Sequence, residues 1–154
     1  MLKFYNKQVV FQEVPNEISV SFSVAGCRLN CPGCSWKTAV LSMIEKELSD
    51  EYYCKVLKDY QGLASCVLFY GGEWESEDLI HKLQIAKQMG YKTCLYTGLN
   101  LEKVKPEIVS ELNYIKVGPY IASLGGLNSP TTNQRLINLD TNEVLNHYMV
   151  KNVM

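Results

Sequence analysis

Four short apolar runs, each ending in a turn and separated by stretches of helical spacing, constrain the fold of this chain more than any other feature. The first, Ile18-Ser19-Val20-Ser21-Phe22-Ser23-Val24, alternates apolar and small polar residues, which predicts a strand with Ile18, Val20, Phe22 and Val24 on one face. Residues 66–70 are continuously apolar, the pattern of a strand covered on both sides. Residues 92–96 and 114–117 complete the set. Between them lie three helical patterns. Ser49 is placed to cap the first, with Asp50 and Glu51 in its opening turn and Tyr53, Val56, Leu57 and Tyr60 as its apolar stripe, and Gly62 stops it. Ser76 is expected to cap the second, which carries Leu79, Ile80, Leu83, Ala86 and Met89 on one face and Gly90 at C′. Leu101, Val104, Ile108 and Leu112 fit a third, interrupted or restarted at Pro106.

Strands alternating with helices imply βαβ units and a mostly parallel sheet. Residues 9–11 add a short first strand and 135–139 a last one, and 122–132 read as loop from their glycine, asparagine, serine and proline content. A closed eight-stranded barrel needs about 250 residues, and this chain has 154. The expected fold is therefore α/β, a partial, open (βα) barrel with a mostly parallel sheet, in one domain over residues 1–154.

In such folds the loops at the C-terminal ends of the strands build the site. Here those loops are the cysteine segment, Gly71-Gly72-Glu73, Thr97-Gly98 and Gly118-Pro119, all expected on one rim. The first puts three thiols into eight residues as Cys27-x3-Cys31-x2-Cys34, with Gly26, Asn30, Pro32 and Gly33 supplying turns. Iron–sulfur clusters normally take four cysteines, so a cubane held by three keeps one iron open to a ligand that is not protein. Zinc is the rival, but structural zinc wants four ligands, and His81 and His147 fall on a helix and in the tail. Three thiols bracketing proline and glycine pack poorly as core. Cys54, Cys66 and Cys94 read as small buried hydrophobes. In Gly71-Gly72-Glu73 the glycines let backbone approach a ligand closely and the carboxylate can accept from an ammonium group.

Charge excludes other classes. With 15 Lys+Arg against 16 Asp+Glu, net −1, the chain offers no electrostatic case for nucleic acid or an anionic membrane. No apolar run reaches the roughly 20 residues of a membrane span, and the start, Met1-Leu2-Lys3-Phe4-Tyr5-Asn6-Lys7-Gln8, has no apolar stretch behind its lysine to make a signal peptide. A reducing cytoplasm follows as the expectation, in which six cysteines serve as metal ligands or buried thiols.

The cysteine spacing after a first strand resembles the radical S-adenosylmethionine (SAM) superfamily, and Gly71-Gly72-Glu73 stands where that superfamily carries a glycine-glycine-acid motif for the SAM amino group. Over nearly its whole length the chain looks like the activating proteins of anaerobic (class III) ribonucleoside-triphosphate reductase. The matching pieces are Gly26-Cys27, Tyr70-Gly71-Gly72-Glu73-Trp74, Tyr96-Thr97-Gly98, Val117-Gly118-Pro119-Tyr120 and Thr132-Asn133-Gln134-Arg135. The resemblance implies a radical SAM barrel, a 4Fe-4S cluster on Cys27, Cys31 and Cys34, and SAM bordered by Gly33, Ser35, Trp36, Gly71, Gly72, Glu73 and Thr97. It implies no catalytic side chain: a flavodoxin-like donor reduces the cluster, SAM is cleaved to methionine and a 5′-deoxyadenosyl radical, and that radical takes hydrogen from a glycine Cα in the glycyl radical loop of the reductase large subunit.

The chain departs from the family pattern in three places. Gly33 stands where an aromatic residue usually borders the adenine, a role Trp36 is placed to take over. Ser35-Trp36 replaces the common aromatic or His-Asn pair, and Val117 replaces an acid. The two arginines, Arg28 and Arg135, both lie inside motifs and suit bidentate contact with the SAM carboxylate or the partner's tail. A chain this short has no lid for a small substrate, which favours a macromolecular partner that supplies the missing wall. The alternatives are a small-molecule radical SAM enzyme similar to 7-carboxy-7-deazaguanine synthase, and a zinc-stabilised binding module.

Overall fold

A computed structural model describes residues 2–25 and 46–150. The cysteine segment, with Cys27, Arg28, Cys31, Gly33, Cys34, Ser35 and Trp36, lies outside the described residues. Eight strands form one sheet in the order β3-β1-β2-β4-β5-β6-β7-β8. They are β1 (Lys3–Val10), β2 (Ser19–Val24), β3 (Lys46–Glu47), β4 (Cys66–Tyr70), β5 (Lys92–Tyr96), β6 (Tyr114–Val117), β7 (Arg135–Asn138) and β8 (Glu143–Val144). Among the described residues the α-helices are α1 (Asp50–Asp59), α2 (Ser76–Gln88) and α3 (Pro106–Val109).

The four strands read from the sequence are the centre of this sheet and run parallel, β2 beside β4, β5 and β6, with Ser23 opposite Tyr70, Tyr70 opposite Tyr96 and Tyr96 opposite Lys116. The flanks differ from expectation. β1 and β3 on one side and β7 and β8 on the other are antiparallel, so the sheet has more antiparallel pairings than parallel ones and is not mostly parallel. A parallel return needs a crossover element, and no described helix separates β1 from β2 or β6 from β7. The sheet is open, with β3 and β8 as its edges among the described residues.

Strand alternation divides the interior in two. Val20, Phe22, Val24, Val67, Phe69, Leu95, Ile115 and Val117 point to the helices and meet Tyr53, Val56, Leu57, Leu79, Leu83 and Ala86. Phe22 stacks on Phe69 at 5.5 Å and tilts against Tyr53 at 5.4 Å. On the other face Cys66, Leu68, Cys94, Tyr114 and Leu136 pack with Val14 and Leu145. β2 is buried on both faces, serines included, while Ile18 falls outside it and is half exposed. β1 is longer than residues 9–11, because Lys3, Asn6, Lys7 and Gln8 belong to it, and Phe11 lies beyond its end, exposed.

Local signals fared unevenly. The Ser49 hydroxyl accepts from the Tyr52 N–H at 3.2 Å, the cap its sequence predicts. Ser76 does not cap α2: a 3-10 turn over Glu73–Glu75 runs into the helix, Ser76 is its first residue, and the Ser76 hydroxyl accepts from Lys105 Nζ at 3.1 Å. The third helical pattern divides into a 3-10 turn (Leu101–Lys103) and α3, because Val104 is extended and Pro106 starts the next turn. No described helix is long and apolar enough to cross a membrane.

One buried charge sits between α1 and α2. Lys82 is fully buried, its Nζ 2.6 Å from Asp50 Oδ1 and 3.0 Å from Asp78 Oδ1. Asp78 Oδ2 accepts from the Leu2 N–H at 2.7 Å, which ties the start of β1 to α2. His81 Nε2 lies 2.7 Å from Asp50 Oδ2. Hydrogen bonds from Lys82 and then His81 hold the Asp50 carboxyl below its ordinary 3.8. Asp50 therefore releases its proton more readily folded than unfolded, so its contribution is complete above about pH 4 and is lost as the pH falls through the lowered value. Thermal melts of wild type and Asp50→Asn should differ at pH 7 and converge toward pH 3, by a modest margin, since the Asp50 side chain is 53% exposed.

Candidate functional site

The parallel register brings the C-terminal ends of β2, β4, β5 and β6 to one edge of the sheet. Val24 and Ala25 leave from there toward the cysteine segment, and Gly71, Thr97 and Gly118 follow the other three strands. Hydrogen bonds lock these exits together. The Gly71 N–H donates to the Tyr96 carbonyl at 2.9 Å, Thr97 N–H to the Lys116 carbonyl at 2.9 Å, and Gly118 N–H to the Leu99 carbonyl at 2.8 Å.

Gly71 and Gly72 both take left-handed backbone, φ 86 and 109, the region where a side chain is costly. Space is also short. A Cβ on Gly71 would stand 2.7 Å from Trp74 Cη2, and one on Gly72 would stand 3.3 Å from Leu2 Cδ2 and 3.5 Å from Val24 Cγ2. The second glycine is thus wedged against the strand that carries the chain into the cysteines.

This turn delivers Glu73 to Thr97. Glu73 Oε1 accepts from the Thr97 hydroxyl at 2.5 Å, and that hydroxyl accepts from the Leu99 N–H at 3.1 Å. Glu73 Oε2 is buried and has no partner among the described residues. A carboxylate oxygen in that state is costly to leave bare, and the group that relieves it is a hydrogen-bond donor, best a cationic one. The residues present therefore fit an ammonium-bearing ligand such as the amino group of SAM. Gly71, Gly72, Glu73 and Thr97 stand together at the ends of β4 and β5.

The next exit is rigid for a different reason. Lys116 Nζ, at 3.4 Å, and Gln134 Nε2, at 3.3 Å, both donate to the Gly118 carbonyl, and Asn133 Nδ2 donates to the Pro119 carbonyl at 3.1 Å. Thr132-Asn133-Gln134 and Gly118-Pro119 are thus one clamped unit. Arg135 joins it through one nitrogen: its Nη1 donates to the carbonyls of Thr132 and Gln134, each at 2.7 Å. Gln134 lies in a motif the sequence marks, but nothing along the chain indicates that it braces the Gly118 loop 16 residues away.

On the face packed by Val14 and Leu145, Ser23, Tyr70, Tyr96 and Lys116 stand side by side across the four parallel strands. The two tyrosine rings meet edge to face at 5.4 Å. The Tyr96 hydroxyl donates to the Glu13 carbonyl. Burial pushes the Cys66 thiol up to about 12 and raises Cys94 well above its usual range, so both stay protonated. Among the described residues no group of three or more His, Cys, Asp or Glu side chains is placed to hold a metal.

A family model described as a 4Fe-4S single cluster domain matches residues 18–137, well over half of the chain and including Cys27, Cys31, Cys34, Glu73 and Thr97. No curated protein and no solved structure matches the chain.

Proposed function

We propose, since the chain belongs to the 4Fe-4S single cluster domain family, that it is a radical SAM activating enzyme whose target is the glycyl radical loop of anaerobic ribonucleoside-triphosphate reductase. In this reading the thiolates of Cys27, Cys31 and Cys34 hold three irons, and the fourth is left for SAM. Gly71 and Gly72 let SAM lie against backbone, Glu73 takes its amino group, and Gly33, Ser35 and Trp36 border the rest. When bound and reduced by a flavodoxin-like donor, the cluster would supply the electron that splits SAM into methionine and a 5′-deoxyadenosyl radical, which takes hydrogen from the target glycine. The chain's own work is to orient SAM at the C-terminal end of the parallel strands, the edge where a protein partner would present its glycine. The open sheet, with parallel strands at its centre, supports a radical SAM fold of the partial-barrel kind.

The observation that carries the SAM reading is the buried Oε2 of Glu73, without a partner among the described residues and one strand over from the chain that enters the cysteine segment. The experiment is anaerobic reconstitution with iron and sulfide, followed by SAM, reductant and the anaerobic reductase. The expected result is a glycyl doublet in the EPR spectrum. SAM cleavage with no protein radical moves the target to a small molecule, and a colourless zinc protein without SAM turnover overturns the reading altogether.

A further inference from the structure

We infer that Thr97 is a positioning residue that fixes Glu73 to accept a single primary ammonium group. The inference rests on the reading of Glu73 as the SAM amino site and assigns Thr97 to the carboxylate instead of to the ligand. A threonine hydroxyl has one hydrogen to give and lone pairs to receive. The Leu99 N–H already donates to Thr97 Oγ1 at 3.1 Å, so the hydroxyl's own hydrogen is directed to Glu73 Oε1, at 2.5 Å. That distance is the short O–H···O⁻ contact of a charged acceptor.

The threonine itself cannot drift. Its N–H is bonded to the Lys116 carbonyl at 2.9 Å, the Leu99 carbonyl that follows receives the Gly118 N–H at 2.8 Å, and Thr97 is 2% exposed. Water has no access to replace it. With Oε1 engaged by Thr97, the oxygen of Glu73 that lacks a partner among the described residues is the buried Oε2. A guanidinium binds best to both oxygens of a carboxylate, whereas an ammonium is a compact donor that needs only one. The pair thus suits an amino group placed on Oε2.

The test uses the reconstituted holoenzyme and S-adenosylhomocysteine, which carries the same amino and carboxylate groups and is not cleaved, with affinity measured by calorimetry. Thr97→Val keeps the shape and removes the hydroxyl, and it should weaken binding about tenfold. Thr97→Ser restores the hydroxyl and should stay within about threefold of wild type. In a Glu73→Gln background Thr97→Val should cost nothing further, a coupling that a purely structural role would not produce. Should Thr97→Val not fold, Thr97→Ala is read the same way. Wild-type affinity in the valine variant, or an equal loss in the glutamine background, overturns the inference and leaves the SAM reading standing. A wild-type holoenzyme that binds neither SAM nor S-adenosylhomocysteine overturns both.

Discussion

Alanine at any one of Cys27, Cys31 or Cys34 should leave the reconstituted protein with little iron and no SAM cleavage. A cubane with three protein thiolates has none to spare, and two cannot hold it in one orientation. The other three cysteines are the internal control. Cys66, with its thiol pushed up to about 12, and Cys94, raised well above its usual range by burial, are protonated and poor ligands. Cys54 is half-buried on α1. Iron per chain and the visible absorption of the cluster should therefore collapse in the first trio and survive in Cys54→Ala, Cys66→Ala and Cys94→Ala. Iron retained by Cys31→Ala but lost from Cys66→Ala would place the cluster elsewhere.

Asp78→Ala should be the most damaging substitution away from the cysteines, at about 3 kcal/mol of unfolding free energy. It removes one of two carboxylates facing an ammonium with no exposure and strands the Leu2 N–H as well. The remaining contact, Asp50 at 2.6 Å, keeps the loss at the lower end of what breaking a buried pair costs. Urea melts measure it. A shift under about 1 kcal/mol would mean that Lys82 reaches water once Asp78 is gone.

How much of this was legible in the sequence depended on the range of the forces involved. Residues 66–70 and Ser49 are set by neighbours along the chain, and both behave as local pattern dictates. The shared edge of Gly71, Thr97 and Gly118 was legible too, because parallel strands in register leave their loops at one end. Lys82 was not. A lysine four residues after Asp78 reads as a solvated i,i+4 pair, whereas α1 brings Asp50 and the Tyr53 ring against it. The antiparallel direction of β1 and β7 likewise lies in long connections with no helix to show which way they return. Ser76 failed as a cap because the glycine turn before it was already winding the chain. The bond from Thr97 to Glu73 spans 24 residues, beyond anything periodicity can reveal.

Leu2 bears on how the protein can be handled. It is wholly buried, its N–H is held by Asp78, and its side chain lies against the position a Cβ would take on Gly72. Any affinity tag or fusion ahead of Met1 therefore leaves the molecule from beside the glycine turn that shapes the candidate site. A partner approaching that edge would meet the tag first. Tyr148, near the other end of the described chain, is exposed, so a handle placed after Met154 is the better choice for assays that depend on docking.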